Sequence, residues 1–258
     1  MFSRNLTTKL VGTIRLTRSN GPSRFASSLV TKFDKSVESL PLREAVRYVS
    51  IKQKLTAKDF LDSAESHANA LLDHGFKKDD VLAMWSVDGM EKDFTKMAAA
   101  KAGMRFVDID PSITDIASIR EFLKISQVKA LYFFPHHDDK DFPMLLRKAI
   151  PELFYYDNSE GQFFHSKFFP KLKFFISMGR DNEYGCLSYQ ELFLPHPEVN
   201  MCRVESEKLT DDTPFYAEIR KNNGVVSMTP FITHGEALSS PAFSFVKKYI
   251  DHEYYEFQ

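Results

Sequence analysis

The amino-acid sequence predicts an α/β fold with a mostly parallel, doubly wound sheet and flanking helices. Three observations predict it. Apolar, strand-length runs alternate with helix-period segments between Thr56 and Ile150. Asp79–Pro111 reads as a strand, a helix and a second strand, a connection long enough for a parallel crossover. Val81–Trp85 is continuously apolar between Asp80 and Ser86, as suits a buried strand.

The chain opens with a segment of different character. Arg4, Lys9, Arg15, Arg18 and Arg24 are basic, and the first acid is Asp34. Phe2, Leu6, Leu10, Ile14 and Leu16 recur at near-helical spacing among serines and threonines. An Arg-rich, hydroxyl-rich, acid-free stretch has the make-up of a mitochondrial transit peptide. Arg24-Phe25-Ala26-Ser27 resembles an arginine-anchored processing site. The alternative is a basic arm that binds nucleic acid or anionic lipid. Removing these five positive charges takes the formal charge from −1 to −6. That acidity argues against a nucleic-acid binder.

With 258 residues, 43% of them hydrophobic and 27% charged, the chain has ordinary globular composition and room for one or two domains. No run approaches the roughly eighteen apolar residues that would span a bilayer. Two cysteines, Cys186 and Cys202, are too few for a disulfide framework or a four-cysteine metal site.

Taken in order, Val37–Ser50 is expected as a short helix with stripe Leu42, Ala45, Val46 and Val49, and Lys52–Leu55 as an extended link. Thr56 caps the next helix, with Asp59 as its capping-box partner and Gly75 as its stop. Its apolar face is Phe60, Leu61, Ala64, Ala68, Leu71 and Leu72, while His67 and His74 fall among polar neighbours and are expected in solvent. After Val81–Trp85, Ser86 or Asp88 is placed to cap a helix bearing Met90, Phe94, Met97 and Ala98, with Gly103 as its left-handed stop. Arg105–Ile109 is a strand, closed by Pro111. Thr114 then caps a helix with face Ile116, Ile119, Phe122, Leu123 and Ile125. Val128–Phe134 is the next strand and Phe142–Ile150 the next helix.

From Tyr155 to Phe175 the chain is crowded with aromatics, expected as core or as a partner-facing surface. Leu172–Ile176 reads as a strand, Pro195–Asn200 as a polar link and Glu205–Asp212 as a charged one. Phe215–Ile219 and Val225–Thr229 are strands joined by the hairpin turn Lys221-Asn222-Asn223-Gly224. A last helix is expected over Gly235–Ile250, damaged by Pro241.

Several stretches together resemble the N-terminal part of the adenylate-forming superfamily, the acyl-CoA synthetases and AMP-binding ligases. Leu40-Pro41-Leu42-Arg43-Glu44-Ala45 and Leu55-Thr56-Ala57-Lys58-Asp59-Phe60 are similar to its opening helices. Gly75-Phe76-Lys77-Lys78-Asp79-Asp80-Val81 is similar to the approach to its first strand. Ala99-Ala100-Lys101-Ala102-Gly103 with Ile109-Asp110-Pro111 resembles a helix end and strand of the family. Phe122–Ser126 and Val128–Leu131 are similar to its next helix and strand. Pro170-Lys171-Leu172-Lys173 through Gly179 resembles a later strand, so the likeness spans Leu40–Leu194.

The resemblance implies a phosphate-binding loop of the form T-S-G-T-T-G-x-P-K-G between an Asp-Asp and a Thr-His or Ser-His. Both landmarks stand here, as Asp211-Asp212 and Thr233-His234. Between them runs TPFYAEIRKNNGVVSMTPFI, in which Gly224 and Ser227 are the small residues left. Glu218 brings a negative charge, and Met228 occupies the place of the lysine. Such loops wrap phosphates with backbone N–H groups, a conformation that favours glycine over Val225 and Val226. The loop is degenerate in sequence. The chain ends at Gln258, before the stretch where the family carries its magnesium-side acidic motif, ribose-binding aspartate and catalytic lysine, so a truncated relative is expected.

The expected organisation is a transit peptide over 1–28 and an N-terminal helix and linker over 29–55. An α/β acyl-CoA-synthetase-like domain occupies 56–200, and a degenerate phosphate-loop region with a C-terminal helix occupies 201–258. Two other clusters bear on function. His136-His137-Asp138-Asp139 comes directly after a strand, where α/β sites tend to sit, but lacks the usual spacing of zinc ligands. Cys186, His165 and Asp157 would make a nucleophile system only if the fold gathers them. No catalytic, cofactor-binding or metal-ligating residue is assigned, and no cofactor. The expectation is a non-catalytic accessory subunit in the mitochondrial matrix or on the matrix side of the inner membrane. Its partners would be the protein subunits of a respiratory-chain or ATP synthase assembly, or of the mitoribosome, without a transmembrane segment but compatibly with peripheral membrane association. The alternatives are half of a split acyl-CoA ligase, or a protein retaining acyl-CoA or nucleotide binding.

Overall fold

The computed structural model describes residues 27–137, 139–157, 163–181, 183–195 and 197–257. The chain runs through α1 (Ser28–Ser39), β1 (Glu44–Tyr48), β2 (Gln53–Thr56), α2 (Ala57–Asp73), β3 (Val81–Trp85), α3 (Met90–Ala102), β4 (Arg105–Ile109), α4 (Ile116–Ser126) and β5 (Ala130–Phe133). A small hairpin of β6 (His136–His137) and β7 (Lys140–Asp141) leads into α5 (Phe142–Ala149). Next come β8 (Phe174–Ser177), β9 (Leu187–Ser188), α6 (Met201–Ser206), β10 (Pro214–Asn222), β11 (Val225–Met228) and β12 (Ile232–Thr233). The chain closes with α7 (His234–Ala237), α8 (Ser244–Ile250) and β13 (Tyr255–Phe257).

The main sheet has the order β11-β10-β4-β3-β5-β8-β9, with β12 also on β10. All pairs from β10 to β9 are parallel, and the β11 and β12 pairings are antiparallel. Side chains alternate between two cores, as the twofold period of a strand requires. Leu82, Met84, Phe106, Ala130 and Tyr132 join the core under α1, α2, α3 and α8. Ala83, Trp85, Val107, Ile109, Leu131 and Phe133 join the core under α4 and α5. The sheet is therefore covered on both faces, which is why these strands read as continuous apolar runs.

The expected strand–helix–strand block is present with its boundaries, including Gly103 as a left-handed C-cap at φ 70°. Thr56 and Asp59 form the expected capping box of α2. Four expectations are corrected. Val37–Ser50 is not one helix: α1 ends at Ser39, before Pro41, and residues 44–48 form β1. That strand pairs with β2 and, in parallel, with β13 more than two hundred residues away, a partner that local periodicity does not reveal. The cap of α3 is Gly89 without a side-chain bond, because Asp88 is drawn to Lys92 instead. Asp115, not Thr114, caps α4. The C-terminal helix is broken as Pro241 demands, into α7, a single 3₁₀ turn at Pro241–Phe243, and α8.

The aromatic stretch divides by position. Phe164, Phe174 and Phe175 are buried, with Phe164 and Phe175 edge-on at 5.0 Å, whereas Tyr155, Phe163 and Phe168 face outward. No helix of the described residues is long and apolar enough to cross a membrane.

Candidate functional site

In parallel α/β sheets ligands gather outside the carboxyl ends of the strands. Here those ends are held by a chain of charged side chains. Lys92, on the first turn of α3, is buried and lies 2.6 Å from Asp108 of β4 and 3.0 Å from Asp88. It also donates to the carbonyl of Ser86 at 3.2 Å. The Tyr216 hydroxyl of β10 lies 2.9 Å from Glu218 Oε1 and 3.3 Å from Asp108 Oδ2, sharing its one proton between them. Glu218 in turn is paired with Arg220 at 3.1 Å. Burial, with Asp108 and Glu218 beside it, holds the Tyr216 phenol far above its ordinary range. One residue beyond Lys92 on α3, Asp93 is buried and accepts from Tyr48 Oη at 2.9 Å. Burial raises its carboxyl to about 6.

The stretch between the Asp-Asp and Thr-His landmarks, where a phosphate loop is expected, is an antiparallel hairpin. Ile219 pairs with Met228, Arg220 with Ser227, Lys221 with Val226 and Asn222 with Val225. The turn is the two residues Asn223 and Gly224, at φ 51° and 82°, the geometry of a type I′ hairpin. Thr229 closes the base, its N–H donating to the Glu218 carbonyl and its Oγ1 accepting from the Glu218 N–H, both at 2.9 Å. Lys221 is paired at 2.6 Å with Asp115, whose carboxyl this contact and the capping bond from Ser118 N hold at about 2.

Chemically, this geometry does not fit a triphosphate. A phosphate nest needs consecutive N–H groups turned onto one point, whereas these residues spend theirs on a ladder. Both basic side chains of the hairpin already have carboxylate partners, and Glu218 and Asp108 oppose an incoming anion.

The landmarks themselves have a structural task. His234 is fully buried and its Nδ1 lies 2.8 Å from Ser27 Oγ, while Asp211 Oδ1 accepts from the N–H of Ser28 at 2.6 Å. The pair that would frame a phosphate loop anchors the start of α1.

The remaining candidates separate. His136 and His137 form β6, and Asp138 lies outside the described residues. Among the described residues no group of three or more His, Cys, Asp or Glu could hold a metal ion. Asp157 and His165 line one shallow cavity of about 250 Å³, and Cys186 is not on its wall. Burial pushes the Cys186 thiol up to about 12, which favours the neutral thiol. Cys202 is likewise buried and raised to about 12. His67, expected in solvent, is fully buried: its Nδ1 lies 2.6 Å from the Leu192 carbonyl and its Nε2 3.2 Å from Tyr132 Oη. The segment Tyr189–Phe193 folds over that side of α2, a cover that no local pattern announces. The Lys92–Asp108–Tyr216 chain escaped sequence reasoning as well. Its one local trace is Asp108, an acid between the apolar Val107 and Ile109 of β4.

Residues 33–160 match the profile of the AMP-binding enzyme family. The chain is 26% identical over 145 residues to the mitochondrial medium-chain acyl-CoA ligase ACSF2 of Pongo abelii, covering 56% of this chain and 23% of the relative. Against the Danio rerio protein of the same name it is 28% identical over 118 residues, covering 46% and 19%. The chain thus aligns with about a fifth of the length of these relatives. Among solved structures, a putative long-chain-fatty-acid CoA ligase from Rhodopseudomonas palustris superposes with TM-score 0.68 at 14% identity, over 92% of this chain and 58% of that one. The luciferase-like enzyme of Zophobas morio gives 0.67 at 13% identity, over 92% and 55%. These two likenesses establish a shared fold.

Proposed function

Residues 33–160 belong to the AMP-binding enzyme family, and from that premise we propose that the chain is a non-catalytic, acyl-CoA-synthetase-like accessory subunit of a mitochondrial protein assembly. The observation that carries this reading is the two-residue turn Asn223–Gly224, which stands where the family's phosphate loop is expected. Adenylation depends on positive groups stabilising the transferring phosphoryl charge, and here carboxylates occupy the corresponding strand ends. The mitochondrial placement is supported by the Arg-rich, acid-free first 26 residues and by the relatives' designation as mitochondrial ligases. The assembly we favour is a respiratory-chain or ATP synthase complex at the matrix side of the inner membrane, with the mitoribosome as second host.

The full chain, tested with its native partners, ATP, magnesium, CoA and medium-chain fatty acids, is expected to release no pyrophosphate. Robust turnover would sink the non-catalytic reading. Native mitochondrial extract run by size exclusion is expected to carry the chain in a large species. Elution near its own 29.7 kDa mass would count against an assembly subunit.

A second reading, one part of a ligase completed by another chain, is favoured by β11. This strand ends the described sheet, and Val225 on it is 66% exposed. A partner strand added there would extend the ladder. The same pyrophosphate assay decides, since a split ligase turns over only with its second chain present.

A further inference from the structure

We propose that the face made by the end of α5, residues 155–157 and 163–169 after it and the adjoining flank of α4 docks on a lipid surface bearing anionic headgroups. The first observation is a concentration of exposed aromatics: Tyr155 is 89% exposed, Phe168 77% and Phe163 57%. Single exposed apolar residues are ordinary, but a contiguous apolar patch marks an interaction site. Tyr155 and Phe168 line one apolar cavity of about 740 Å³, and Phe163 shares a second, smaller one with Tyr155.

The second observation is charge. Arg120 and Lys124 stand on the cavity rim, Lys148 lies in the last turn of the adjacent helix α5 beside the cavity-lining Ala149, and Lys167 and Lys171 flank Phe168 in the chain. All five are exposed. The acids on the same wall are Glu121 and Glu152, the latter accepting from Ser166 Oγ at 3.0 Å, with Asp157 on the smaller cavity. The cavity lining is balanced, and with the three neighbouring lysines the face carries five cations against three acids, in contrast with a chain whose overall formal charge is −1. Exposed aromatics with lysine and arginine beside them suit the bilayer interface, where rings settle at headgroup depth and cations meet anionic lipid. A protein partner's hot spot would be expected to bring fewer lysines, which are depleted at protein interfaces.

The third observation is rigidity. Arg120 Nε donates to the Ala149 carbonyl at 2.8 Å, fastening α4 to the end of α5. Ser166 Oγ accepts from the Phe168 N–H at 3.1 Å and donates to Glu152, tying the aromatic loop to the turn after α5. Phe164 and Phe169 pack inward on the core while their neighbours face out. The patch is presented by a fixed floor.

The test is co-sedimentation of the full chain with vesicles of phosphatidylcholine alone and of phosphatidylcholine containing phosphatidylglycerol. Tighter binding to the anionic vesicles, weakened by salt, is expected. Lys124→Glu with Lys167→Glu should weaken it by about fivefold or more per charge, and Tyr155→Ser with Phe168→Ser by about tenfold. All four positions are exposed, so folding is expected to survive, and circular dichroism verifies it. The basic residues before Ser27 remain in every variant. Binding that ignores all the substitutions therefore belongs to that arm and overturns the proposal. So does absence of binding to both vesicle types, or variants that lose a protein partner while keeping vesicle affinity.

Discussion

Ser27 Oγ and His234 Nδ1 lie 2.8 Å apart in the interior, 207 positions apart in sequence. The contact fastens the start of α1 to the Thr-His pair that comes after the hairpin. Ser27 also caps α1 by accepting from the Val30 N–H at 3.4 Å. Ser27→Ala removes both bonds and is expected to cost about 1–2 kcal/mol. Urea unfolding checks it: the midpoint should fall with the slope unchanged.

His234 and His67 carry a pH signature. Burial lowers each imidazole to about 4. Unfolded histidines take up protons near 6.5, so between 6.5 and 4 the unfolded chain holds more protons, and stability falls as pH falls. Asp93 acts oppositely: raised by burial to about 6, it binds its proton first in the folded state. Two protons against one leave a net slope of about 1.4 kcal/mol per pH unit near pH 5.5. His234→Gln should flatten that slope, and Asp93→Asn should steepen it. Denaturation midpoints from pH 6.5 to 5 decide. A slope that neither variant changes would remove these groups as its source.

Much of this fold is legible in the sequence because its parallel strands are covered on both faces. Leu82 and Ala83 belong to different cores, yet both must be apolar, so β3 reads as an unbroken run. Gly103 and the Thr56–Asp59 box are legible for a similar reason: each acts within a few residues of itself. What escapes is set by distant partners. Residues 44–48 pair with β2 nearby but have their other edge covered by Tyr255–Phe257, and the burial of His67 depends on Tyr189–Phe193. At the site, the scarcity of glycine between Asp212 and Thr233 is readable. The carboxylate–lysine chain through Asp108 and Lys92 is not, because it joins two elements that meet only in the folded sheet.

Lys101 is a buried cation with two carboxylate partners, Asp34 of α1 at 2.6 Å and Glu65 of α2 at 3.1 Å. It joins three helices at one point. Lys101→Met leaves Asp34 without its ammonium and Glu65 with Arg203 at 3.3 Å and Asn200 at 2.9 Å as its remaining partners, and a loss of about 3 kcal/mol is expected. Adding Asp34→Asn and Glu65→Gln should recover part of it. A triple variant no more stable than the single one would mean that the lysine's packing, not its charge, is what matters.

The hairpin of β10 and β11 is predicted to be held by its own turn and ladder. Gly224 has φ 82°, and a Cβ there would meet nothing within 4 Å, so Gly224→Ala isolates the backbone term. A left-handed alanine costs about 1–2 kcal/mol. Asn223→Gly keeps the turn accessible and should change stability by less than about 1 kcal/mol. The Lys221–Asp115 pair is partly exposed, so Lys221→Ala should cost no more than about 1 kcal/mol. Trp85 reports all three. It is the one tryptophan of the chain, fully buried with its ring 4.3 Å from that of Phe142, and its emission should shift to the red only on global unfolding. If Lys221→Ala proved the most damaging of the three, the side-chain anchor to α4 would be holding the hairpin rather than the turn.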